Sequence, residues 1–228
     1  MLTFATIIMA VLGAVMIYGA FHIRRENQLM AATPTVAAGE LKGIAPGSLV
    51  ELKGVLRSSS PIEAEFSKEH CLYHCSRIEE EHESQSSSGK SETSTREVHR
   101  NERWAPLWFE DQTGQCRIVP DGAKAEATEL VNRRETEGLG GVSFNIGGFS
   151  LGNTLKAKRY REDVIRPDQS IYVLGTVQAD GSIAADPAKA HPLIISTLSE
   201  EERAKANRKS LYWLVPLGLL FLHALGLV

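Results

Sequence analysis

Twenty-two consecutive residues, Leu2–Ile23, carry no acidic or basic side chain. As a helix rising 1.5 Å per residue the run is about 33 Å long, enough for a hydrocarbon core of about 30 Å. Leu211–Val228 is a second such run of roughly 27 Å by the same rise. Tyr212 and Trp213 open it, where amphipathic rings favour the headgroup boundary, and Pro216 can kink it. The sequence therefore predicts a transmembrane helix at 2–23, another at 211–228, and a water-soluble domain between. The first run lacks a basic leader and a small-residue cleavage site, so it reads as a retained anchor rather than a signal peptide. His22 and His223 read as interfacial or neutral residues of these runs.

Charge sets the expected orientation. Arg24, Arg25, Lys42, Arg203, Lys205, Arg208 and Lys209 all lie on the domain side of the two runs. The positive-inside tendency then places the domain in the cytoplasm. Arg203, Lys205, Arg208 and Lys209 form a basic cluster expected to face lipid. The formal net charge of −3 gives no global attraction to nucleic acid. Three cysteines, an odd number, argue against a disulfide framework.

The middle reads as strand-rich. Residues 24–40 are a polar linker, or an extension of the first helix as far as Met30 with Pro34 as its stop. Ser48–Leu56, Cys71–Glu81, Val98–Glu110, Cys116–Pro120, Ser170–Gln178 and Pro192–Thr197 are expected strands, with an Asp180-Gly181 hairpin turn. Ser84–Thr95 is almost entirely small and polar and reads as a flexible loop. Ala123–Glu137 has the composition of a soluble helix, and 138–152 that of a Gly-rich loop carrying apolar residues. Residues 198–210 read as a charged juxtamembrane helix, with Ser199 and Glu202 at capping-box spacing. Strands with one helix between the third and fourth predict a mainly β, α+β fold: a small OB-like β-barrel over 41–197, flanked by the two membrane helices.

Chemistry-bearing residues are few. His70, Cys71, His74 and Cys75 invite a metal site, but on a strand the two thiols face one way and the two imidazoles the other. Metal binding there is the outside reading; packed or surface side chains are the expected one. Asp111-Gln-Thr-Gly114 is read as a structural turn, with Gly114 at positive φ. Glu79, Glu80, Glu81 and Glu83 read as a solvated strand end. The sequence has no phosphate loop, no G-x-S-x-G and no H-E-x-x-H, so no catalytic residue and no cofactor is expected.

The ordered set CLYHCSRIEEE, WFEDQTGQCRIVPDGA, YREDVIRPDQSIYVLGTV and PLIIST, followed by charged and apolar segments, resembles the GIDE (beside-a-membrane) domain family. The resemblance covers roughly 41–228. It implies a membrane-side domain of the kind found in mitochondrial ubiquitin ligases, where it faces the intermembrane space rather than the cytoplasm. Those ligases carry a RING finger after the second membrane helix, and a RING needs about eight Cys/His ligands. This sequence ends at Val228 with none, so ubiquitin transfer is not expected of it. The expected role is a non-catalytic interaction or scaffold domain that meets the lipid bilayer and a protein partner, with no nucleic acid. The alternative is a component of a membrane-associated ubiquitin-ligase-like (E3-type) or proteolytic system whose transfer activity a partner supplies.

Overall fold

The computed structural model describes residues 2–85, 91–136, 144–146, 149–151, 153–188 and 190–198, with single positions at 202, 205 and 216. Its elements in chain order are helix α1 (Leu2–Ala32), a 3-10 helix (Ala38–Gly43) and fifteen strands. These are β1 (Leu49–Arg57), β2 (Ile62–Glu63), β3 (His70–Cys71), β4 (Tyr73–Gln85), β5 (Ser91–Trp104), β6 (Leu107–Asp111) and β7 (Gly114–Ile118). They continue with β8 (Lys124–Glu126), β9 (Thr128–Glu135), β10 (Phe144–Ile146), β11 (Phe149–Leu151), β12 (Asn153–Ile165), β13 (Ser170–Val177), β14 (Ile183–Ala184) and β15 (Ile194–Ser196).

Five strands close into a barrel in the order β1-β6-β7-β14-β13 and back to β1. All neighbours are antiparallel except β7 and β14, which meet in parallel at Ile118 and Ile183. Numbered within the barrel this is 1-2-3-5-4-1, the OB-type order. β1 makes closure possible by serving two neighbours. Leu49–Val55 pair with β13 and Val55–Arg57 with β6. The two ladders overlap at Val55, and at the neighbouring Gly54 a Cβ would run into the Glu110 carbonyl oxygen and the Phe109 ring.

The barrel core holds Val50, Leu52, Leu56, Leu107, Phe109, Ile118, Ile171, Val173 and Ile183, all at most 2% exposed. Phe109 therefore points inward and Trp108 outward. β13 is buried on both faces after Ser170, in keeping with its apolar run Ile171–Leu174. Ile171 and Val173 face the barrel interior, while Tyr172 and Leu174 are covered by Met30 of α1 and by Ile194.

Long insertions elaborate this barrel. β2 to β5 lie between the first and second barrel strands, and β8 to β12 between the third and fourth. β5-β4-β12-β9 make a separate four-stranded antiparallel sheet. Two expectations are corrected here. Ala123–Glu137 is not a helix: it forms β8, which pairs with β15, and β9, which pairs with β12. Among the described residues no helix fills the gap between the third and fourth barrel strands; a β insertion does. Ser84–Thr95 is not one long loop either, because Ser84 and Gln85 pair with Glu92 and Ser91 as β4 and β5 continue outward.

Helix α1 runs through residues 24–32, so most of the expected linker is helical. Thr33 ends it, its Oγ1 donating to the Leu29 carbonyl at 2.7 Å, and Pro34 follows. Among the described residues no helix is long and apolar enough to cross a membrane. Those residues leave out the side chains of 2–6 and 9, which belong to the uncharged run. The segment 211–228, apart from Pro216, and most of 138–152 and 198–210 lie outside the described residues.

Gly54 gives the barrel's most specific test. Gly54→Ala pushes a methyl into the Glu110 backbone and the Phe109 ring, and we expect a loss of about 1–3 kcal/mol in chemical denaturation of the full chain in detergent. Gly43→Ala, which meets nothing within 4 Å, is expected to stay within about 0.5 kcal/mol.

Candidate functional site

The His/Cys segment does not gather. The strand breaks at Leu72, whose N–H donates to Ile165 and whose carbonyl accepts from Ala105. That break resets the side-chain alternation, so the two thiols do not share a face as expected. Cys71 packs with Ala64 and Val164, while Cys75 joins the main core beside Tyr73. His70 is exposed and His74 is buried. Among the described residues, no group of three or more His, Cys, Asp or Glu side chains is placed to hold a metal. All three cysteines are free and buried. Burial, with the nearby Glu162 charge, pushes the Cys71 thiol up to about 11. Burial also raises Cys75 and takes Cys116 up to about 12. Thiols held this far from ionisation are poor nucleophiles.

The most enclosed polar group is one that sequence reasoning missed. His74, Ser76 and Glu162 are all at most 1% exposed. The Ser76 hydroxyl donates to Glu162 Oε1 at 2.8 Å, and His74 Nδ1 lies 3.1 Å from Ser76 Oγ. With the serine proton directed at the carboxylate, His74 donates through Nδ1–H and is neutral, in keeping with burial lowering its pKa. A hydrolytic triad needs the serine proton directed at the histidine, and an exposed serine. Neither holds here. Glu162 instead receives the Phe66 and Ser67 backbone N–H groups at 2.7 and 2.8 Å. It fixes the loop between β2 and β3 onto the sheet. Burial alone would raise its pKa, but the hydrogen bonds from Ser67, Phe66 and Ser76 outweigh it and hold the carboxyl below its usual range. The same loop is held by Glu65, which bonds to His99 and Asn101.

Asp111 is a second clamp. Its Oδ1 accepts from the Thr113 N–H, the Thr113 hydroxyl and the Gly114 N–H, and its Oδ2 from the Ala38 N–H at 2.7 Å. The Thr113 hydroxyl oxygen in turn accepts the Gly39 N–H. The D-Q-T-G turn therefore ties the 3-10 helix after α1 to the barrel. Gly114 is not at positive φ, contrary to expectation; among the described residues the positive-φ glycines are Gly47, Gly122 and Gly181. A Cβ there would make ordinary contact with Gly39 at 3.5 Å, and Gly39 is the tighter position, 2.8 Å from the Thr113 carbonyl oxygen.

The glutamate run is not a solvated strand end. It sits in mid-sheet, where Glu79 lies 3.8 Å from Arg161, Glu80 3.1 Å from Lys158, and Glu81 against Arg134, while Glu83 pairs with Lys156. Of the basic cluster, Lys205 is exposed and helical, and Arg203, Arg208 and Lys209 lie outside the described residues.

A cleft of about 750 Å³ opens between α1 and the barrel. Its helix wall is His22, Arg25, Glu26 and Leu29, spaced i, i+3, i+4, i+7. Its barrel wall includes Asp121, Lys124, Asp186 and His191. The helical spacing past Ile23 was a signal for this wall that the linker reading passed over.

These features define the class: a small closed β-barrel domain whose buried polar groups are structural clamps. Residues 76–228 match the GIDE family model, described as E3 Ubiquitin ligase, and the chain belongs to that family. No curated protein and no solved structure matches it.

Two measurements test the clamps. Glu162→Gln should cost about 1–3 kcal/mol at neutral pH by leaving buried donors poorly satisfied. A carboxyl held low contributes stability above its unfolded pKa of about 4.3 that is lost as pH falls through its folded value. The gap between the parent and Glu162→Gln melting curves should therefore narrow as pH drops below about 4. In the second, none of the three thiols should react with an aromatic disulfide reagent until denaturant is added.

Proposed function

We propose that this is a membrane-anchored, non-catalytic interaction or scaffold protein of GIDE type. The observation that carries it is the continuity of α1. One helix runs from the uncharged segment into the barrel, where Met30 is buried against Tyr172, Leu174 and Ile194. Along its outer half, Ile7, Ile8, Val11, Leu12, Val15, Tyr18 and Phe21 are exposed, which suits lipid rather than water. A second apolar segment at 211–228 supports two crossings, and the seven Lys and Arg residues beside the domain favour a cytoplasmic barrel. A protein partner is the expected ligand of the barrel and its long sheet.

The family description favours a second reading, a component of an E3-type system. Within these 228 residues the three thiols are buried and raised in pKa, which leaves no nucleophile for a thioester. Among the described residues no His/Cys group is placed to hold a metal, as the eight-ligand zinc sites of a RING require. On this reading any transfer activity is supplied by a partner. The purified chain with activating and conjugating enzymes should form no ubiquitin chains; transfer by the chain alone would refute the non-catalytic reading.

Orientation is tested by a single reporter cysteine, since the native thiols are shielded. A cysteine placed at Ser94 should resist a membrane-impermeant maleimide in intact cells and react after lysis. Labelling of intact cells would put the barrel on the opposite face.

A further inference from the structure

We propose that the cleft between α1 and the barrel holds the headgroup of a phospholipid carrying a primary ammonium group. This rests on α1 spanning the bilayer.

The position comes first. Val11, Val15, Tyr18, His22, Arg25 and Leu29 follow one another at steps of three and four residues, so they share one face of α1. Val11, Val15 and Tyr18 are exposed, and His22, Arg25 and Leu29 line the cleft. An acyl chain lying on the apolar half of that stripe would place its headgroup in the cleft. Arg25 is about 3 Å and Leu29 about 9 Å beyond Ile23 at 1.5 Å per residue. The headgroup layer on each side of a bilayer is about 5–8 Å deep. The cleft therefore lies at headgroup level.

The charges select the headgroup. Glu26 is 3.4 Å from Lys124, and the Asp186 carboxylate accepts from the Ala188 and Ala190 N–H groups. Arg25 on the helix wall and Asp121 on the barrel wall make no ion pair or hydrogen bond among the described residues. Among the described lining residues, Arg25 and Asp121 thus stand on opposite walls as a cation and an anion without a partner. Arg25 suits a phosphate, which a guanidinium binds in bidentate fashion. Asp121 suits an ammonium that donates hydrogen bonds. Among the described residues no Trp, Tyr or Phe lines the cleft, and a quaternary ammonium favours such aromatic walls. His191, whose buried Nδ1 has no partner, supplies a further unused polar atom in the same wall.

The test titrates the full chain in detergent, by calorimetry, with dihexanoyl phosphatidylethanolamine, phosphatidylcholine and phosphatidylglycerol, and with water-soluble glycerophosphoethanolamine. The ethanolamine lipid should bind at least tenfold more tightly than the other three. Arg25→Gln and Asp121→Asn should each weaken it at least tenfold with unchanged melting temperature, since both positions are exposed. Asp121→Lys should transfer the preference to phosphatidylglycerol. Equal binding of choline or glycerol lipids, equal binding of the soluble headgroup, or indifference to all three substitutions would overturn the proposal. Flotation of the full chain with phosphatidylcholine vesicles separates the two readings. Failure to float removes the anchoring itself; flotation without ethanolamine preference removes only the headgroup site.

Discussion

Barrel closure depends on β1 reaching two neighbours. A five-strand ring has no spare strand, so one member must turn between its partners while keeping both ladders. Leu49–Val55 and Val55–Arg57 divide that task, sharing Val55, and beside it at Gly54 the Glu110 backbone and the Phe109 ring leave no room for a side chain. Everything else hangs from this ring. The sheet inserted between β1 and β6, the β insertion between β7 and β13, and the helix whose end covers Tyr172 and Leu174 all attach to strands that Gly54 holds in place.

The polar interior follows one logic. Glu162, fully buried, and Asp111, partly covered, each accept backbone N–H groups from a distant segment, and in both those bonds outweigh desolvation and hold the carboxyl low. Such carboxylates resemble reactive groups in a bare residue inventory, since a histidine and a serine sit beside one of them. Their proton positions say otherwise. The direction of each hydrogen bond, rather than the presence of residue types, separates a clamp from a catalyst.

The barrel strands were legible because their apolar content is local. Ser170–Gln178 and the Asp180-Gly181 turn carry their pattern within a few residues, and Gly181 has the positive φ such a turn uses. The inserted sheet was not legible for the opposite reason. Ala123–Glu137 has strong helix formers and no strand alternation, yet it becomes β8 and β9 because β15 and β12 offer open edges. The polar residues on either side of 86–90 extend a hairpin through backbone pairing alone, which composition does not report. The Glu162 cluster joins Phe66, Ser76 and position 162 from three separate segments, so no spacing rule could have assembled it. Of the proposed site residues, Asp111 ends β6 and accepts the Thr113 and Gly114 N–H groups, whereas Gly114 does not have the positive φ assigned to it.

The four-stranded sheet has charged or polar side chains on much of both faces, so burial does little to choose between alignments of β4 and β12. Charge alone leaves a degeneracy. If β12 slid by two residues, Glu79 would meet Arg161, Glu81 would meet Arg159 and Arg77 would meet Asp163, so the ion pairing would survive almost intact. That slide would also set Glu162 opposite Ile78 and away from Ser76, stranding a carboxylate in the interior without its donors. Glu162 is thus the index mark of a zipper whose teeth are otherwise interchangeable: one buried charge tells two long polar strands where to start counting.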